Sequence, residues 1–180
     1  IARGAFGLSG QACTGTSRVI VEDAAHDKLV DLLVDAARSR VIGNGLTDGV
    51  QMGPLASAAQ LDKVRAHVAD AAEDGAKLLT GDGPLPDGCE RGHFARPVVF
   101  TDVAPDSALA QQEVFGPVLA VLRVGSYDEA VAVANNTEYG LSAGIVTRDI
   151  GRALDFSRRV DSGLVKVNLP TTGVAMNAPF

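Results

Sequence analysis

The 180-residue sequence has no tryptophan, only two cysteines and only three histidines. Cys13 and Cys89 are too few for a disulfide framework. His26, His67 and His93 are scattered without the spacing of a zinc site. Cysteine usage of this kind points to a reducing, cytosolic setting. An excess of positive charge is missing too: 16 Lys and Arg stand against 22 Asp and Glu, for a net charge of −6. That balance argues against a nucleic-acid or anionic-membrane partner. No apolar run approaches the ~18 residues of a membrane span. No G-x-G-x-x-G follows a predicted strand, so the chain carries no dinucleotide fingerprint of its own.

What is present is an ordinary globular composition, 46% hydrophobic, in a chain long enough to bury roughly 70% of its unfolded surface. Short β-branched runs alternate with amphipathic stretches. Strands are predicted at 17–21, 76–80, 97–103, 117–124, 141–147 and 164–168. Helices are predicted at 26–37, at 57–73 behind a Ser57 cap, behind the Ser126-Tyr127-Asp128-Glu129 capping box, and at 150–160. Residues 81–92, rich in Gly and Pro, read as a surface loop. The runs at 97–103 and 117–124 are nearly all apolar, as in a sheet covered on both faces. The alternation argues a three-layer α/β domain with a mainly parallel sheet. Ile1 in place of an initiator Met, and the apolar end Asn177-Ala178-Pro179-Phe180, read as an excerpt of a longer polypeptide, with residues 1–180 as one domain of it.

Cys13 is the first candidate for chemistry. It lies in Gly10-Gln11-Ala12-Cys13-Thr14-Gly15-Thr16, where small residues leave room for a substrate and let backbone N–H groups approach. A thiolate is a strong nucleophile, although a free cysteine is also a small buried hydrophobe in many cores. Glu113, after two glutamines, reads equally as a solvated surface charge, and Phe115 as a core residue. The loop 168–172 after the last strand reads as an ordinary turn or as a wall of a site. Cys89 and the histidines carry no such pattern and read as loop, surface or packing residues.

Two segments change the weighting. Phe6 through Gly10-Gln11-Ala12-Cys13 resembles the nucleophile segment of the aldehyde dehydrogenase superfamily, and Glu113-Val114-Phe115-Gly116-Pro117 resembles its Glu-x-Phe-Gly-Pro segment. Met52-Gly53-Pro54-Leu55, Arg96-Pro97-Val98-Val99, the stretch from Ala134 to Ala143 and Gly163 through Asn168 match as well, so the resemblance covers essentially the whole chain. It implies the nucleophile-bearing catalytic domain of an enzyme that oxidises a small-molecule aldehyde with NAD or NADP. Cys13 is then the nucleophile that forms a thiohemiacetal and a thioester, with its backbone N–H as one oxyanion donor. Glu113 accepts the nicotinamide-ribose hydroxyls and Phe115 packs beside that ribose. Asn168, Leu169, Thr171 and Thr172 line the aldehyde tunnel. No metal is implied, and the complete enzyme is expected to be a cytoplasmic homodimer or homotetramer.

Three of the family's parts are not matched here: the general-base glutamate, the oxyanion asparagine and the coenzyme-binding domain all lie upstream of the matching stretch. The 180 residues alone are therefore expected to be inactive. Thr14 to Val21 together with Val167-Asn168-Leu169-Pro170-Thr171-Thr172-Gly173-Val174 looks most like the α-ketoglutaric semialdehyde dehydrogenase branch. A CoA-acylating semialdehyde dehydrogenase, or a non-catalytic structural or interaction fragment, are the alternatives that stay open.

Overall fold

A computed structural model of the chain describes residues 1–174 and 177. The elements run α1 (Ala2–Phe6), a 3₁₀ turn (Gly7–Gly10), β1 (Arg18–Glu22), α2 (Asp23–Arg38), α3 (Ala58–Glu73), β2 (Lys77–Thr80), β3 (Val98–Thr101), α4 (Ala108–Gln111), β4 (Val118–Val124), α5 (Tyr127–Asn135), β5 (Ser142–Ile145), α6 (Ile150–Arg159) and β6 (Leu164–Val167).

Caps fix where the two central helices begin. Ser57 Oγ accepts the Gln60 N–H at the head of α3, and Ser126 Oγ accepts the Glu129 N–H at the head of α5. The α5 box closes one residue early: the Glu129 carboxylate accepts from Gly125 N at 2.8 Å. Each such cap satisfies a helix-end N–H that has no partner inside the helix.

Four strands form one sheet in the order β1-β4-β3-β2. β1 and β3 both run parallel to β4, and β2 runs antiparallel to β3. That reversal has a simple cause. No helix lies between β2 and β3, and a parallel return needs a crossover. Where the β2–β3 register shifts, the Thr80 hydroxyl donates to Pro97 O and accepts from Val99 N, replacing the interrupted ladder.

β4 shows how the layers are built. Leu119 and Val121 face a cluster with Val19, Val21, Leu33 and Ala37 on the α2 side, while Val118, Ala120, Leu122 and Val124 face Leu61, Val64, Leu109 and Val133 on the side of α3, α4 and α5. The alternation is the two-residue period of a strand buried on both faces. The result is helix, sheet, helix: the three-layer arrangement expected from the sequence. Each fully buried side chain such as Leu119 or Leu122 contributes about 1.5–3 kcal/mol of apolar burial.

The α2 face is tied to the sheet by one buried polar group. Arg123 donates to Asp27 Oδ1 at 2.7 Å, His26 Nδ1 lies 2.8 Å from the same carboxylate oxygen and 2.6 Å from Arg123 Nη2, and His26 Nε2 pairs with Thr101 Oγ1 at 3.0 Å. His26 is thus a core-packing histidine.

Two expectations need correcting. The strands predicted at 141–147 and 164–168 exist, but among the described residues they pair only with each other, as a separate parallel sheet. β1 ends the larger sheet, and between its free edge and β5 runs a cleft of about 1060 Å³. Residues 81–92 are also not purely a surface loop: Cys89 is 2% exposed and packs with Phe94 and Leu85 into the α2-side core. An apolar anchor of this kind has no periodicity by which to announce itself.

Candidate functional site

The segment around Cys13 is shaped by small residues and backbone strain. In the 3₁₀ turn Leu8, Ser9 and Gly10 all have positive φ (52, 57 and 71°). Ser9 is buried there and its hydroxyl donates to Gly53 O at 2.8 Å. Gln11 spends its side chain in the same way, accepting from Ala56 N at 2.9 Å and donating to Leu8 O at 3.2 Å. The 52–56 segment thereby holds the segment before Cys13 from outside, and Cys13 is left exposed ahead of β1.

The second segment is held against the first. A Cβ on Gly10 would fall on the carbonyl of Gly116, and a Cβ on Gly116 would fall on the Val64 side chain. Two glycines about a hundred positions apart therefore stack between the 3₁₀ turn and helix α3. Phe115, with φ 55°, takes a backbone conformation that costs a non-glycine residue energy. Helix α3 holds it there: Gln60 Nε2 donates to the carbonyls of Val114 (2.9 Å) and Phe115 (2.8 Å), and Lys63 Nζ donates to that of Glu113 (2.7 Å). Neither anchor is visible in the sequence, because a polar residue near the start of a helix looks like any solvated one. The Glu113 backbone N–H reaches Tyr139 Oη at 3.4 Å, and its carboxylate has no hydrogen-bond partner among the described residues.

The cleft beside β1 is lined by Cys13, Glu113, Asn168, Leu169 and Thr171 together; Phe115 and Thr172 lie outside its lining. An exposed thiol and an unpartnered carboxylate thus open onto one cavity. The carboxylate suits a vicinal diol, since it is acceptor-only and can take two hydroxyls. Among the described residues no group of three His, Cys, Asp or Glu is placed to hold a metal.

Three neighbours are already committed elsewhere. Arg18 points its guanidinium at the end of α5, donating to Val133 O (3.4 Å) and Ala134 O (3.1 Å); burial pulls its pKa down. Asn168 has φ 55° and clamps the Thr147 backbone, accepting from its N–H and donating to its carbonyl, both at 2.9 Å. Its amide shapes the loop, and the loop presents Leu169, which is 63% exposed. Thr171 Oγ1 lies 2.9 Å from Thr16 Oγ1, joining the loop to the turn after Cys13.

Comparison with known proteins gives this arrangement its relatives. The family model described as "Aldehyde dehydrogenase family" matches residues 1–180. The chain is 48% identical over 181 residues to the alpha-ketoglutarate semialdehyde dehydrogenase of Haloferax volcanii, covering 100% of this chain and 37% of that protein. It is 40% identical over 178 residues to the alpha-ketoglutaric semialdehyde dehydrogenase of Bacillus subtilis, covering 98% of this chain and 36% of that protein. Among solved structures, betaine aldehyde dehydrogenase from Staphylococcus aureus in complex with NAD+ superposes with a TM-score of 0.95 at 30% identity, over 99% of this chain and 36% of that one. The chain therefore spans little more than a third of the length of these relatives.

Proposed function

Because the chain belongs to the aldehyde dehydrogenase family, we propose that its 180 residues form the nucleophile-bearing domain of an enzyme oxidising a small aldehyde to the acid with NAD or NADP. The observation that supports this is the shared cleft, in which exposed Cys13 and the unpartnered carboxylate of Glu113 face one cavity. The names of its relatives favour a semialdehyde as substrate.

The thiolate of Cys13 attacks the aldehyde carbonyl, forming a thiohemiacetal. The Cys13 backbone N–H would donate to the oxygen that becomes negative, which is where electrostatic assistance counts most. The Glu113 carboxylate would hold a coenzyme ribose through its two hydroxyls, kept in place by the Gln60 and Lys63 anchors on the backbone around it. When bound, a nicotinamide dinucleotide supplies the hydride acceptor that takes the adduct to the thioester. Hydrolysis of that thioester frees Cys13. The Asn168 clamp fixes the loop that presents Leu169 and Thr171 to the aldehyde, while Phe115 acts through the shape of its strained turn. The complete enzyme would be a cytoplasmic homo-oligomer, and the 180 residues alone would not turn over.

The test is trapping in the full-length enzyme. Acid quenching during turnover of α-ketoglutaric semialdehyde should leave the acyl group on the tryptic peptide that contains Cys13. Cys13→Ala should abolish both the adduct and the activity. Full activity in Cys13→Ala would end the assignment.

A further inference from the structure

The hydroxyls of Thr16 and Thr171 face each other at 2.9 Å across 155 positions of sequence, and either can be the donor. Both residues line the same cleft as Cys13. The pair is a built feature, because its neighbours make room for it. A Cβ on Gly4 would fall on Thr16 Oγ1 and stand 3.5 Å from Thr171 Oγ1. The methyl of Thr171 lies over Gly144, where a Cβ would come within 3.3 Å of it.

The hydrogens can be counted. Two hydroxyls carry two hydrogens, and the bond between them uses one. The accepting hydroxyl keeps its own hydrogen, which cannot point back at its donor. Neither side chain has another hydrogen-bond partner among the described residues. One donor is therefore left over at the cleft, already oriented by the bond its oxygen accepts. Polarisation along the pair strengthens it. The charged candidate nearby, Arg18, has spent its guanidinium on the carbonyls ending α5.

We propose that the Thr16–Thr171 hydroxyl pair is a specificity element that donates to a carboxylate oxygen at the far end of the substrate, so that the site favours acid-bearing aldehydes over uncharged ones. The role presupposes the aldehyde-oxidising activity proposed above and adds Thr16 to it. A hydrogen bond to a charged oxygen discriminates well because its loss leaves a desolvated charge without a partner.

The test uses the full-length enzyme with two substrates, α-ketoglutaric semialdehyde and an uncharged straight-chain aldehyde of equal length. Thr16→Val and Thr171→Val should each lower kcat/KM for the acid-bearing substrate about tenfold or more, chiefly through KM. The uncharged aldehyde should lose less than about threefold. Thr171→Ser should restore the discrimination, and the double valine variant should be no worse than either single one, as expected for a shared unit. Competitive inhibition by glutarate, a readout independent of turnover, should weaken in parallel. Equal losses on both substrates would make the pair a structural tie and overturn the proposal. So would an unchanged kcat/KM for the acid. If the wild-type enzyme oxidises no aldehyde at all, the activity proposed above fails, and this role fails with it.

Discussion

β1 and β4 are neighbours in one sheet and both are rich in valine and leucine or isoleucine, yet they meet the rest of the molecule differently. β4 is paired along both edges and buried on both faces, with only Arg123 reaching solvent. β1 is paired along one edge; its other edge opens on the cleft, and only Val19 and Val21 are buried. Apolar composition reports that a strand has covered faces, but says nothing about how many of its edges are closed. The closed strand is packed on every side, and the open one follows directly on the thiol and on Thr16, one of the two paired hydroxyls.

That contrast can be tested first by truncation. Leu122→Ala in β4 should cost about 2–5 kcal/mol in urea unfolding, since Leu122 is fully buried in close-packed surroundings. Ile20→Ala in β1, a partly buried residue bordering the cleft, should cost less than half as much. Equal costs would show that the cleft side is as tightly packed as the core. Second, iodoacetamide should modify exposed Cys13 about a hundredfold faster than Cys89 under native conditions. The gap should close in urea, as read by peptide mass. Comparable native rates would mean that the 81–92 loop opens far more readily than its buried anchor suggests.

The smallest effect concerns the polar seam that joins α5 to α6. The Asp155 carboxyl is held below the usual carboxylate range, first by the Tyr127 hydroxyl at 2.8 Å and then by Arg159. Its folded pKa lies below its unfolded one, so its contribution is present above the unfolded value and is lost as pH falls through the folded value. Asp155→Asn should therefore flatten slightly the fall in Tm below about pH 4. A change confined to neutral or alkaline pH would contradict the assignment.

Much of the fold was legible because its determinants are local. The Ser57 and Ser126 caps, the unbroken apolar run of β4 and the spacing of Leu61 and Val64 on α3 each speak from a few consecutive residues. What stayed hidden depends on partners far away in sequence. The short helices α1 and α4 are too brief to show a period, and the strained turn at 7–10 makes sense only against Gly53 and Gly116. Nothing in residues 141–167 could reveal that β5 and β6 would stand apart from β1. At the site, resemblance singled out Cys13 and Glu113, and the structure gives them a common cavity. It also gives Asn168 a task the sequence could not suggest, a clamp on Thr147, because that depends on how two strand ends happen to meet.

The anchors on the 113–115 turn have a further consequence. Gln60 and Lys63 grip carbonyl oxygens, which every residue possesses, and none of these bonds goes to a side chain of the turn they hold. The exposed side chain at 113 can therefore be exchanged while those three bonds persist, a freedom that Val114, buried in the core, does not share. Such a turn is a socket with one replaceable fitting. A substitution of Glu113 can alter what the cleft recognises without dismantling its frame, whereas the same freedom is denied to Gly10 and Gly116, where the frame itself has no room to spare.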